Sequence, residues 1–482
     1  MKALIHQKEG ISTMTQEIDK TKLIHITNDR YRPAYHIATN GGWLNDPNGL
    51  CFYKGYYHVF YQYHPYSAEW GPMHWGHVRS KDLIHWEHLP VALVPGDPED
   101  SGGCFSGSAI VKDDRLYLIY TGHHYYGDGD LDHFWENQNV AYSDDGIHFT
   151  KYEGNPVISA PDDNAQDFRD PKVWQHDGKY YLVLGSREKK TNHGRILLYQ
   201  STDLLHWEQV GTMFDTKTVK NTGKMLECPD FFHLNGQDVL LCSPMGLEST
   251  GKNFMNLSQV CYSIGQLDYA NCQFNGSDLQ ELDKGHNFYA TQTFETPDKR
   301  RVMIAWTSPF NEEMPEKADG WAGILTIPRE LSIVDGHLYN KPVREMEKLR
   351  AHPDLDGELT IDGTTKLEMS DPQHSEFNFA FPEATDGQLS WQLNDSQGAL
   401  LSITYRDGEV VLNRRGQDGK RYASVPAGIM NLRIFVDTSS VEVFINNGWV
   451  SFTDRYYADG PVSYQLTSDH QISLMAKNYA LK

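Results

Sequence analysis

Three things are scarce in this sequence, and each scarcity excludes a class of protein. Basic residues are outnumbered: 43 Lys and Arg stand against 65 Asp and Glu, a formal net charge of −22 over 482 residues. No run of Lys or Arg interrupts the excess, so the basic footprint that neutralises phosphates is missing and nucleic acid is excluded as a partner. Cysteine is sparse and scattered, with six residues (Cys51, Cys104, Cys228, Cys242, Cys261, Cys272) and no C-x-x-C pair. That is neither a disulfide framework nor a zinc spacing. Long apolar runs are lacking too. After Lys2 only Ala3, Leu4 and Ile5 are consecutively apolar, too few for a signal-peptide core, and no stretch approaches the length of a membrane span. Together these absences predict a reduced, cytoplasmic protein with no membrane partner.

Several catalytic fingerprints are missing as well. His74 and His77 in MHWGH lack an H-E-x-x-H context, which favours a structural or substrate-lining role over zinc. Asp128, Asp130 and Asp132 begin like a calcium loop, but Gly is absent at its sixth position and Glu at its twelfth. FSGSA (105–109) is not set in the strand–turn–helix of a serine hydrolase. No phosphate-binding loop or dinucleotide fingerprint is present. No metal and no cofactor are expected. Helical periodicity is almost absent between the strand-like segments, which argues against a doubly wound α/β fold.

What is present is repetition. Five strand-like segments each follow a polar turn, as in Lys54-Gly55 before YYHVFYQY and Asp177-Gly178 before KYYLVLGS. With Tyr57, Tyr117, Tyr181, Leu240 and Val302 as reference points, the intervals are 60, 64, 59 and 62 residues. A second pattern, S-x-D-x-x-H-aromatic, recurs at 80–86, 143–149 and 201–207, placed after the second strand of each unit. Strand-rich units of about 60 residues are the size of four-stranded blades. The prediction is an all-β chain: a five-bladed β-propeller catalytic domain over 30–341, a linker with one short helix ended by Pro353 over 342–357, and a C-terminal antiparallel β-sandwich over 358–482. Aromatic residues are plentiful (11 Trp, 27 Tyr, 20 Phe), which suits sugar faces but equally suits any strand-rich core.

The first strand of each unit opens near Asp46, Phe105, Asp170, Glu227 and Tyr289, spaced by 59, 65, 57 and 62 residues. In a propeller the innermost strands line one channel, so these positions are expected to meet at one of its mouths. Three carboxylates, from blades one, three and four, would gather there. Taken singly, Asn-Asp-Pro-Asn-Gly (45–49) reads as a turn, Arg169-Asp170-Pro171 as an ion pair and Glu227-Cys228-Pro229-Asp230 as an exposed loop. Their shared repeat phase favours function. Collected like charges raise one another's pKa without structural benefit, whereas glycoside hydrolysis needs an ionised carboxylate and a protonated one side by side. Cys228 has no paired base in the sequence, so packing is the expected role for it rather than nucleophilic attack.

At this point the motifs resemble family 32 of the glycoside hydrolases, the invertases and bacterial sucrose-6-phosphate hydrolases. WLNDPNG (43–49), FRDP (168–171) and ECP (227–229) carry the likeness, supported by YQYHP (61–65), CFSGSA (104–109), HNFYATQTF (286–294) and GWAGILTIPREL (320–331). The resemblance implies the same propeller and sandwich, with Asp46 as nucleophile, Glu227 as acid/base and Asp170 as transition-state stabiliser beside Arg169. It further implies a sugar site lined by Asn45, Gln62, Trp70, Phe105, Ser106 and Trp306, together with Trp43, Trp75, Tyr289 and Trp321. The expected activity is removal of terminal β-D-fructofuranosyl units from sucrose, sucrose 6-phosphate or short fructo-oligosaccharides with retention. The partner is then a small-molecule sugar. Two alternatives stand beside it: an inverting five-bladed-propeller glycosidase acting on arabinan or xylan, and a non-catalytic carbohydrate-binding protein. The sandwich is open to stability, homodimer formation or glycan contact.

Overall fold

The computed structural model describes residues 17–216, 223–307, 310, 312–385, 387–416 and 418–482. Its described part is almost entirely antiparallel sheet, with no helix long and apolar enough to cross a membrane. Five sheets follow one another along the chain. Their inner strands are Gly42–Tyr53, Gly103–Lys112, Asn164–His176, Met225–Leu234 and Tyr289–Glu295. The first four turn back by tight hairpins into a second strand through the positive-φ pairs Lys54-Gly55, Asp113-Asp114, Asp177-Gly178 and Asn235-Gly236, and the fifth through the longer loop 296–300. The ring closes where Trp321–Ala322 pairs in parallel with Gly42–Trp43, before the chain completes blade five with Arg329–Val334 and His337–Pro342. Gly323 makes this closure possible: its φ is +86°, and a Cβ there would collide with the carbonyl oxygen of Leu44.

The S-x-D-x-x-H pattern is a structural turn rather than a site. It follows the third strand of its blade (His74–Ser80, Phe134–Ser143 and Gly194–Ser201), not the second as the spacing suggested, because the sequence did not mark that extra strand. In each copy the Asp caps the turn, accepting from the backbone and from the histidine Nδ1 at 2.9 Å (Asp82–His85), 2.7 Å (Asp145–His148) and 2.7 Å (Asp203–His206). All three histidines are solvent-exposed.

The expected short helix is a 3-10 turn over Arg344–Leu349, and Pro353 does not end it. Residues 350–357, expected in the linker, instead begin an 18-residue strand, Arg350–Leu367, that runs along Ser463–Leu481. The proline is accommodated at a register irregularity of this pair. Ser463–Leu481 is the spine of a ten-stranded sheet. Its first half pairs with Gln388–Asp395 and its second half with Ser375–Ala380. The sheet folds over between those halves, so that Phe377 and Trp391 face each other with ring centroids 5.6 Å apart. Strict alternation of buried and half-buried residues along Gln388–Asp395 marks the layer's inner face. The two layers make the sandwich.

Sandwich and propeller meet through buried charge. Arg329, fully buried, bonds Glu442 at 2.5 Å and Asp283 at 3.0 Å, and Asp283 also accepts from Ser451 and Thr453 at 2.7 and 2.8 Å. His36 lies between Asp437 (2.7 Å) and Glu442 (2.9 Å). Burial pulls the His36 pKa down, but the bonds to both carboxylates outweigh it and raise the value to about 9. A pKa raised on folding stabilises fully below the ordinary value near 6.5 and loses that contribution as pH rises through about 9. Stability is therefore expected to decline between those limits, by on the order of 3 kcal/mol at most. His36→Gln should be less stable at neutral pH and show no slope in that window. Chemical unfolding at pH 6, 7.5 and 9 checks this; a His36→Gln protein that keeps the slope would disprove it.

Candidate active site

The site is built by irregularity repeated five times. Every inner strand breaks register with its neighbour at the same height: from Leu44 to Pro47, Phe105 to Gly107, Arg169 to Lys172, Glu227 to Asp230 and Tyr289 to Gln292. The skipped residues bulge out of the ladder, and a bulge re-aims side chains. In blades three, four and five the bulge turns on a left-handed residue, Asp170 (φ 66°), Cys228 (φ 46°) and Ala290 (φ 53°). Non-glycine residues held there cost on the order of 1–3 kcal/mol and gather at functional sites.

This register corrects the repeat phase read from the sequence. Glu227 is equivalent to Phe105, Arg169 and Tyr289, whereas Asp170 is equivalent to Cys228 and Ala290. Asp46 falls at the second skipped residue of blade one. The three carboxylates still converge, but from three different steps of the bulge. Spacing misled here because the intervals between successive bulges (Leu44 to Phe105, Phe105 to Arg169, Arg169 to Glu227, Glu227 to Tyr289) are unequal by more than the one-residue steps that separate the three carboxylates.

Asp46 accepts from Ser106 Oγ at 2.6 Å and from Asn45 Nδ2 at 3.1 Å, and Trp43 Nε1 orients Asn45 at 2.7 Å. Burial raises the Asp46 pKa, the nearby Glu227 adds to this, and Ser106 and Asn45 oppose it by bonding the ionised form. Asp170 is held by the backbone N–H of Cys228 at 2.9 Å. Its pKa is also raised, first by burial and then by Glu227 and Asp46, against the lowering field of Arg169. The Cys228 sulfur touches one oxygen each of Asp46 and Asp170 at 3.6 Å, joining the two. Burial and these two carboxylates push its thiol well up, so it stays protonated and is no nucleophile.

Glu227 is gripped at both oxygens. Arg169 donates to Oε1 at 2.9 and 3.1 Å, and the Tyr289 hydroxyl donates to Oε2. Arg169 is itself shared with Asp167 (2.7 Å) and Glu136 (3.3 Å), which fix its plane. Neither of these carboxylates was singled out in the sequence, since each lies off the repeated positions.

These groups surround a pocket of about 170 Å³ lined by Asn45, Asp46, Gln62, Trp70, Phe105, Ser106, Arg169, Asp170, Glu227, Tyr289 and Phe310. That is well below the ~300–1,000 Å³ typical of drug-sized ligand sites and matches a single sugar ring. Trp70 and Phe310 are 38% and 54% exposed at its mouth. Trp43, Trp75, Trp306 and Trp321 do not line it. All four are fully buried, with Trp75 bonding the Phe105 carbonyl at 3.0 Å and Trp43 packing on Phe310 and Trp306. Phe310 lies outside every repeated segment and motif and carried no sequence signal. No cluster of His, Cys, Asp or Glu suited to a metal ion is found among the described residues.

Comparison with known proteins places this geometry. Residues 36–342 match the model of the glycosyl hydrolases family 32 N-terminal domain, and residues 345–481 match that of the family's C-terminal domain. The chain is 40% identical over 455 residues to a sucrose-6-phosphate hydrolase of Zymomonas mobilis, covering 90% of this chain and 88% of that one. It is 38% identical over 442 residues to the raffinose invertase of Escherichia coli, with coverage of 90% and 91%. Among solved structures, an alanine variant of the Bombyx mori family 32 β-fructofuranosidase in complex with sucrose superposes with a TM-score of 0.85 at 38% identity, over 96% of each chain. The propeller, the sandwich and both family matches lead to one conclusion: the chain belongs to family 32 of the glycosyl hydrolases.

Proposed function

We propose that the chain is a retaining β-fructofuranosidase that releases terminal β-D-fructofuranosyl units from sucrose, sucrose 6-phosphate or short fructo-oligosaccharides. The observation that supports this most is the meeting of Asp46, Asp170 and Glu227 in a pocket sized for one sugar ring. In the first step an Asp46 oxygen bonds the anomeric carbon, and the glycosidic C–O bond breaks as Glu227 gives its proton to the departing oxygen. In the second, Glu227 takes a proton from water, that water attacks the same carbon, and the bond to Asp46 breaks with net retention. Asp170 accepts hydroxyl hydrogens of the fructosyl ring and balances the positive charge that develops on it. Arg169 and Tyr289 hold the Glu227 carboxyl towards the leaving oxygen. Trp70 and Phe310 offer exposed rings to the leaving sugar. The reduced cysteines, five of them buried, suit a cytoplasmic enzyme.

Initial rates of fructose release from sucrose, sucrose 6-phosphate and kestose at matched concentrations test the proposal and rank its substrates. The names of the Zymomonas and Escherichia relatives make sucrose 6-phosphate the first to try. Release from none of the three, or a first-formed product of inverted configuration, would refute it.

Glu227→Ala separates the acid from the nucleophile. It is expected to lower kcat on sucrose by about 10³–10⁴-fold, the scale of general acid–base assistance together with its lost positioning. On a fructoside with a nitrophenolate leaving group, which needs no proton, the first step should be nearly unaffected. An equal loss on both substrates would remove Glu227 from the acid role.

A further inference from the structure

Each inner strand begins at the catalytic mouth and leaves the channel at the opposite end. There the residues beyond the five bulges enclose a second cavity of about 400 Å³, more than twice the catalytic pocket. Two cations reach it, Lys172 from blade three and Arg301 from blade five. Lys172 is buried and engaged: its Nζ donates to Asp230 at 3.0 Å and to the Thr293 carbonyl at 2.5 Å.

Arg301 is not engaged. Its guanidinium lies over the ring of Phe232, 4.9 Å from the centroid, and makes no hydrogen bond or ion pair with any described residue. Its cross-strand neighbour Glu295 bonds Lys299 instead, at 2.6 Å. Burial lowers the Arg301 pKa, and Asp230 and Glu295 oppose this only from a distance. Stacking uses the face of a guanidinium and leaves its edge, with five N–H donors in one plane, without acceptors. Arg301 is half-buried in the cavity wall, where its donor edge is served by no acceptor among the described residues and is open to a ligand that enters the cavity. The ligand that fits is an anion with several acceptor oxygens, the geometry that guanidinium forks match. His176 and His233 also line the cavity, the latter with its Nδ1 on Asp238 at 2.8 Å, and so does Glu295, whose carboxylate is paired with Lys299.

We propose that this far mouth is a phosphate site, in which Arg301 binds the oxygens of a phosphoryl group across the channel from the catalytic carboxylates. The group is either inorganic phosphate or the phosphoryl end of a sugar phosphate, for which the cavity has room. A bound anion would tie Arg301 of blade five to the wall formed by blades three and four, so occupancy stabilises the ring without touching the reacting atoms.

Titration calorimetry of the full chain with potassium phosphate, and separately with glucose 6-phosphate, tests this at constant ionic strength. One saturable site per chain of millimolar affinity or tighter is expected, together with a rise in Tm. Tighter binding of inorganic phosphate names the free ion as the source, and tighter binding of glucose 6-phosphate names the sugar phosphate. Arg301→Gln and Arg301→Met should weaken the binding by about tenfold or more, with sucrose hydrolysis within about twofold of the parent. The ligand-free Tm of Arg301→Met should stay close to the parent's, since the guanidinium has no hydrogen bond or ion pair with a described residue to lose. Absence of saturable binding, binding undiminished in both variants, or a fall in their ligand-free Tm would overturn the proposal.

Discussion

Asp46→Ala is expected to lower kcat on sucrose by about four to six orders of magnitude, the scale of losing a covalent nucleophile. The carboxylate is bonded by Ser106 and Asn45 at the pocket wall, and no neighbour can replace it. Cys228 is the nearest alternative, with its sulfur 3.6 Å from Asp46, but its thiol is held protonated by burial and by the same carboxylates. The variant should fold normally. It removes one of three mutually repelling carboxylates, and the strained positions at Asp170, Cys228 and Ala290 belong to other blades. Sucrose should still bind within about tenfold of the parent affinity, because the ring contacts of Asp170 and the pocket wall are retained. Single-turnover hydrolysis and calorimetric binding on the same preparation measure both quantities. A kcat within about tenfold of the parent would transfer the nucleophile role away from Asp46.

The second large effect concerns stability. Arg329→Met is expected to destabilise the folded chain by about 3–5 kcal/mol, the range for breaking a buried ion pair from one side. Methionine nearly matches the volume, so the loss isolates charge. It leaves Asp283 and Glu442 in the interface with no exposure to water, and Glu442 then relies on His36. The guanidinium of Arg329 also lies over the rings of Phe288 and Phe444, its Cζ 4.8 Å from each centroid, and methionine keeps apolar contact there but not the cation–π attraction. Because the interface joins propeller to sandwich, thermal unfolding should split or broaden, with the first transition several degrees lower. Unchanged unfolding would mean that the two modules do not stabilise each other through this network. Activity of the folded variant should persist, since the network lies away from the catalytic pocket.

Much of the propeller was legible in the sequence because hairpins and sheets are local devices. Asp177-Gly178 and Asn235-Gly236 define turns by their own positive φ, and the strands they join alternate on a period of two. The sandwich boundary was less legible. KPVREMEKLRAHPDLDG reads as a helix stopped by proline, yet the helix ends at Leu349 and the proline lies in a strand. The partner that draws residues 350–357 into a sheet is Ser463–Leu481, more than a hundred residues away, and no local signal reports it.

The same division runs through the site. Asp46, Asp170 and Glu227 could be chosen from the sequence because blades repeat and the inner strands of a propeller share one channel. The tryptophans could not be sorted that way. Trp43 stands in the same motif as Asn45, and Trp321 in another, yet both, with Trp75 and Trp306, pack into the core, while Trp70 and the unheralded Phe310 reach the pocket. Hydrophobic area alone favours burying an indole, and only the packing around it decides whether a face is left for a sugar.

By itself, then, the sequence determined the number of blades and the order of the modules, which follow from periodicity, and it pointed to three carboxylates through the motifs that open the inner strands. The tertiary structure decided the rest: bulges that bring three non-equivalent positions to one pocket, the pairing of Glu227 with Arg169 and Tyr289, and an arginine left without an acceptor at the far mouth. These depend on how strands distant in the chain stack around an axis. Register, desolvation and the distance between charges exist only after that stacking is complete.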